Sequence, residues 1–381
     1  MTIKPLTTAV TQRPSEASSP EAPAAAAPVA PPVVADGFET RRSPGRGWPT
    51  SAPIFPEPST RPSRSTVPDD APVVVVYDGG VDFKHPDLDG SMWTNPNETA
   101  GDGIDNDGNG IIDDIHGANI VRMDGDPSRG EETAHGTHVA GIIGAEDDGV
   151  GNTGAAAGKA KIMAVAGSFT PRTELEAFEK GVDYVVKMKT EHGVNIRVLN
   201  GSFGDVYRDP AVQARFTAAV QKLADADILF VVAAGNDGAD ADRTPFFPGN
   251  VELPNVITVA SMDSRNDKLA GFSNFGDEKV ELAGKGSNVL STVPGGGYQR
   301  MSGTSMAAPE VAGAAARVFA KHPHLNAEQV RQMMLDAVEK DPDLTGKVST
   351  GGKLNIEKLD AALPPVPPPA PPEQPEVLDW R

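Results

Sequence analysis

A chain of 381 residues, 38% of them hydrophobic, is long enough for one large domain or two ordinary ones. Its 34 Lys and Arg against 53 Asp and Glu leave a formal charge of -19, which repels phosphate backbones and anionic lipid surfaces and excludes nucleic acid as an expected partner. With no cysteine there is no disulfide framework, zinc-thiolate site or cysteine nucleophile, and thiol redox chemistry is excluded.

Residues 1–70 read as a disordered leader. Met1 to Pro20 lacks the continuous apolar core of a secretory signal, and from about Thr11 to Ser65 the chain is rich in Pro, Ala and Ser with no helical or strand period. The default expectation is a cytoplasmic location, the alternative an extracellular one reached by unconventional export. No stretch approaches the roughly 20 apolar residues of a membrane span, so membrane insertion is not expected. Residues 71–363 alternate strand runs with amphipathic stretches. Strands are predicted at Val73 to Tyr77, Lys161 to Ala166, Ile196 to Asn200, Ile228 to Ala233 and Val256 to Ala260, and helices at Glu174 to Lys189, Pro210 to Ala226 and Ala327 to Val338. The last helix has a capping box, Asn326 with Gln329. Runs such as VVVVY are apolar at consecutive positions, as in parallel strands covered on both faces, so an α/β domain is expected, with a mainly parallel central sheet between two helical layers. Residues 364–381 read as a Pro-rich disordered tail.

Three stretches carry chemistry. Val73 to Tyr77 ends in Asp78, a carboxylate at the carboxyl end of a parallel-type strand, where open α/β sheets bind ligands. In His135-Gly136-Thr137-His138, at an expected helix start, His135 would be the general base, because an imidazole titrates near neutral pH. In Gly303-Thr304-Ser305-Met306-Ala307-Ala308-Pro309, Ser305 opens a helix whose free N–H groups and dipole suit a developing oxyanion. Asp102 to Asp114 is an acidic loop in which Asp105, Asp107 and Asn109 are spaced as in the first half of a calcium loop, with Asp113 as a further ligand. His116 stands where an EF-hand has its bidentate glutamate, so a full EF-hand is excluded. Gly154 to Lys159 has the wrong spacing for a P-loop.

At these residues the chain resembles the subtilisin-like serine peptidases, whose catalytic residues run Asp, His, Ser along the chain, as Asp78, His135 and Ser305 do here. The resemblance spans roughly Ala71 to Leu363 and implies a three-layer subtilisin-like fold and serine endopeptidase activity. It makes Asn236, at the end of VVAAGN, the side-chain oxyanion donor. It implies a substrate edge at Ser202, Phe203 and Gly204, with Ala234, Gly235 and Phe246 also binding substrate. It suggests a second calcium site at Asp87 and Asp148, so that structural Ca2+ is the expected cofactor. The expected partners are protein or peptide substrates, and the expected state is a monomer. A catalytically silent peptide-binding module is the alternative.

The sequence departs from the family pattern in places. Gly79 replaces the usual Ser or Thr after the aspartate, which implies one lost hydrogen bond to the carboxylate. Glu310 replaces a frequent His, with no reason visible in the sequence. Phe246 as a pocket floor favours small side chains before the cut, whereas Asp237 favours basic ones, and the sequence does not decide between them. No stretch of the leader reads as the folded inhibitory propeptide of many relatives.

Overall fold

Five consecutive apolar residues followed by a carboxylate form β1 (Val73–Asp78), buried along its whole length. It lies third from one edge of a ten-stranded sheet in the computed structural model, which describes residues 53–54, 67–170 and 172–363. The other strands are β2 (Gly117–Asn119), β3 (Lys161–Ala166), β4 (Ile196–Gly201), β5 (Asp205–Val206), β6 (Leu229–Ala233), β7 (Phe246–Phe247) and β8 (Val256–Asp263), then β9 (Lys268–Leu269), β10 (Leu282–Lys285), β11 (Val289–Val293), β12 (Gly297–Met301), β13 (Glu339–Lys340) and β14 (Gly352–Lys353). The sheet runs β13-β14-β10-β8-β6-β4-β1-β3-β2, with β9 beside β8, and every pairing from β14 to β2 is parallel. Two small antiparallel pairs, β11 with β12 and β5 with β7, lie outside it.

Helices cover both faces: α1 (Thr133–Gly144), α2 (Glu174–Thr190), α3 (Pro210–Asp225), α4 (Thr304–Lys321), α5 (Ala327–Asp336) and α6 (Ile356–Ala362). Side chains alternate across β1, so Val74 and Val76 join the core built on α1 and α4, while Val73, Val75 and Tyr77 join the core built on α2 and α3. Asp78 continues the first set, so its side chain belongs to the face that carries α1 and α4. All five expected strands and three expected helices are present. Helix α5 has the expected capping box and ends two residues early, because Glu339 enters a strand. Among the described residues, no helix is long and apolar enough to cross a membrane. Most of the expected leader and all of the Pro-rich tail lie outside the described residues.

Candidate active site

The carboxyl end of β1 fixes Asp78, which is 1% exposed. Its two oxygens lie 2.9 and 3.0 Å from His135 Nδ1, so the imidazole donates there and its other nitrogen faces away from the carboxylate. His135 sits in the first turn of α1. That turn approaches β1 closely because Gly136 has no side chain: a Cβ there would lie 2.1 Å from the Gly80 carbonyl oxygen. The bond expected to be lost at Gly79 is replaced, since Gly79 N–H donates to Asp78 Oδ1 at 2.7 Å. A side chain at Gly79 would also collide with Glu132, its Cβ only 2.6 Å from the Glu132 Cβ. Glycine therefore fits the room available and leaves the carboxylate hydrogen-bonded.

Ser305 reaches the same rim through β4. In the parallel register Tyr77 stands opposite Gly201, which sets Ser202 beside Asp78 at the ends of neighbouring strands. Ser305 Oγ donates to the Ser202 carbonyl at 3.2 Å, and Ser202 Oγ donates to the Ser305 carbonyl at 2.9 Å. The second bond explains a proline inside α4. Pro309 has no N–H for the carbonyl four residues earlier, that of Ser305, and the Ser202 hydroxyl satisfies it instead.

Asn236 is exposed beyond the end of β6, and its amide is oriented by Thr304. Thr304 N–H and Oγ1 donate to Asn236 Oδ1 at 2.9 and 3.1 Å, which leaves Asn236 Nδ2 as the outward donor. A Cβ on Gly303 would sit 3.5 Å from Asn236 Nδ2 and 3.7 Å from Ser305 N, so the missing side chain leaves open a cradle between two donors. Thr304 was not singled out from sequence, although its place before the serine could have suggested a cap. His138 is structural. Burial lowers its pKa to about 3, and its Nε2 lies 3.1 and 3.0 Å from the carbonyls of Val289 and Gln299, tying α1 to the β11–β12 hairpin. Glu310, unexplained by sequence, accepts from Lys285 N–H at 2.6 Å and secures the end of β10.

The expected substrate residues lie along the same edge. Ser202, Phe203, Ala234 and Phe246 are buried, and Gly204 and Gly235 have positive φ of 149° and 100°. The Phe246 ring fills the space between the two glycines, since a Cβ at either would lie within 2.8 Å of it. Asn274 Nδ2 donates to the Ala234 carbonyl while its Oδ1 accepts from Asp237 and Ala239 N–H, fixing the turn after Asn236.

In the acidic loop, one oxygen from each of Glu98, Asp105 and Asp107 lies within 4.8 Å of the others, a group able to hold a metal ion. Glu98 was not anticipated; only the fold of the loop brings it to the two aspartates. Two of the other expected ligands also shape the loop through hydrogen bonds. Asn109 turns its Nδ2 toward Asp107 and Asp114 and spends Oδ1 on Ile111 N–H, and Asp113 accepts from Gly101 and Gly103 N–H and so closes the turn. Asp87 accepts from Tyr298 Oη at 2.9 Å, and its carbonyl accepts from Glu146 N–H, which brings the loop of Asp148 against it.

A family model described as the subtilase family matches residues 69–355. Subtilisin-like protease 1 of Plasmodium vivax is 33% identical over 302 residues, covering 74% of this chain and 46% of that protein. Subtilisin of Bacillus pumilus is 30% identical over 262 residues, covering 68% of this chain and 81% of that one. The chain thus spans about half the length of the Plasmodium relatives. A solved cold adapted subtilisin-like serine proteinase is 29% identical with a TM-score of 0.54, covering 76% of this chain and 89% of that one. The epidermin leader peptide processing serine protease of Staphylococcus aureus, at 22% identity and a TM-score of 0.59 over 77% of this chain and 75% of that one, supports the fold alone.

Proposed function

The chain belongs to the subtilase family, and from that premise we propose that it is a serine endopeptidase cutting peptide bonds in proteins through an acyl-enzyme. The observation that carries the reading is the convergence at one sheet rim of Asp78 bonded to His135 and Ser305 bonded to Ser202 on the strand beside Asp78. Ser305 Oγ attacks the substrate carbonyl carbon and passes its proton to His135, whose orientation and positive charge Asp78 supports. The oxyanion accepts hydrogen bonds from Ser305 N–H and Asn236 Nδ2. Collapse breaks the C–N bond, the leaving amine takes the proton from His135, and water then repeats the sequence on the ester. Phe246, filling the space between Gly204 and Gly235, favours small side chains at the residue before the cut. A silent peptide-binding module rested on Gly79 alone, and Gly79 N–H donates to Asp78.

We further propose that Ca2+ is a structural cofactor held by Glu98, Asp105 and Asp107, with a second site at Asp87 and Asp148. Three carboxylates at this spacing repel one another, and a hard dication offsets that repulsion. When bound, the ion supplies charge neutralisation to the loop and takes no part in the chemistry. The test of the enzyme reading is an unfolded protein incubated with the chain and with Ser305→Ala, the products mapped by mass spectrometry. New termini in the first reaction and none in the second are expected; equal cleavage by both would refute it.

A further inference from the structure

Three carboxylates follow the expected substrate edge without a cation. Asp237 adjoins Asn236, Asp205 follows Gly204, and Glu174 opens α2. None of the three forms an ion pair among the described residues. The Asp205 side chain accepts from its neighbour, Val206 N–H, at 2.6 Å. Glu174 is 3% exposed, and its Oε2 accepts from Tyr207 Oη at 3.0 Å, while its Oε1 has no hydrogen-bond partner. An unsatisfied carboxylate oxygen at that depth is costly unless a ligand completes it. Burial and the charge of Asp205 raise the Glu174 carboxyl to about 8, as expected of an acid left without its counter-charge. Asp237 is also raised, by burial first and then by Asp205, so the three acids share one field.

The aromatic rings beside these acids suit a long side chain with a cationic head. Phe203 packs against Phe169 and Tyr77 with ring centroids 5.3 and 5.2 Å apart, and Phe169 and Tyr207 are half-buried. Lysine and arginine lay their methylenes along such aromatic surface while the head group seeks carboxylates. The residue next to the cut is not the candidate under the proposed function, because Phe246, packed between Gly204 and Gly235, would floor its pocket.

Resting on the endopeptidase reading, we propose that Glu174 and Asp205, with Tyr207, form a subsite for a lysine or arginine side chain of the substrate, upstream of the residue that precedes the cut. The subsite makes this chain selective for a basic residue at one upstream position, and Glu174 ionises against the incoming cation.

The test takes a cut site mapped on an unfolded protein, builds it into a quenched fluorogenic peptide, and places lysine or norleucine in turn at each upstream position. At one position lysine should be preferred by at least about tenfold in kcat/KM, mainly through KM, and Glu174→Gln should erase most of that preference. Asp205→Asn, at a half-buried strand end, gives the same reading where Glu174→Gln fails to fold. Equal use of lysine and norleucine at every position, or a preference untouched in the folded variants, would overturn the subsite. If the wild-type chain cuts no protein and a phosphonylating probe leaves Ser305 unlabelled, the endopeptidase reading itself has failed.

Discussion

The rim at Asp78 and the loop at Asp105 both gather acidic groups, but they hold them by different means. Asp78 stands on a central strand, buried, with a parallel neighbour on each side and directional partners in Gly79 N–H and His135. In the loop, Asp105 accepts from the N–H groups of Gly108, Asn109 and Gly110, and Glu98 accepts from those of Asn106, Asp107 and Asp113, all within the same turn. The core therefore determines the rim geometry, whereas the loop geometry rests on local bonds around mutually repelling carboxylates. Chemistry and stability should accordingly respond to different perturbations.

The largest expected effect is at the rim. Asp78→Asn keeps the shape but leaves His135 without its anionic partner, and kcat should fall about 10⁴-fold, measured with the peptide series at fixed pH; a fall below tenfold would detach Asp78 from the mechanism. Next is Asn236→Ala, which removes one oxyanion donor and should lower kcat about 10²- to 10³-fold, the loss known for this donor in a subtilisin, with little change in KM. A loss in KM alone would reassign Asn236 to substrate binding.

Perturbing the loop should act on stability instead. A cation present at a hundred times its Kd contributes about 2.7 kcal/mol, so chelation should lower Tm by about 4–5 °C in a domain of this size. Asp105→Asn with Glu98→Gln should reduce that response, leaving what the site at Asp87 and Asp148 contributes, while probe labelling of Ser305 at low temperature persists. A melting curve indifferent to chelator would rule out a stabilising ion.

The smallest effect concerns Glu174, raised from 4.5 to about 8 by burial. The folded state keeps a proton there that the unfolded chain has already released, so its contribution is full below about 4.5 and is lost as pH rises toward 8. Urea unfolding at pH 5 and pH 8 should show wild type losing more stability across that span than Glu174→Gln. Equal losses would place the Glu174 carboxyl in water.

The layers were legible in the sequence because consecutive apolar runs admit few alternatives to buried parallel strands, and Asp78 was legible because such a run ends on it. What the sequence hid depends on contacts between distant segments. Gly79 reads as a missing hydroxyl until Glu132 is seen to occupy the space a side chain would need. Glu98 lies outside the spaced aspartates and joins them only through the turn. Glu174 looks like an ordinary acidic residue opening a helix, and only Tyr207 and the aromatic wall reveal its burial.

The most direct test is labelling of the intact chain with a phosphonylating probe, followed by peptide mapping. The account predicts one adduct per chain, on Ser305, suppressed in His135→Ala. Labelling at another serine, or undiminished labelling of that variant, would contradict it.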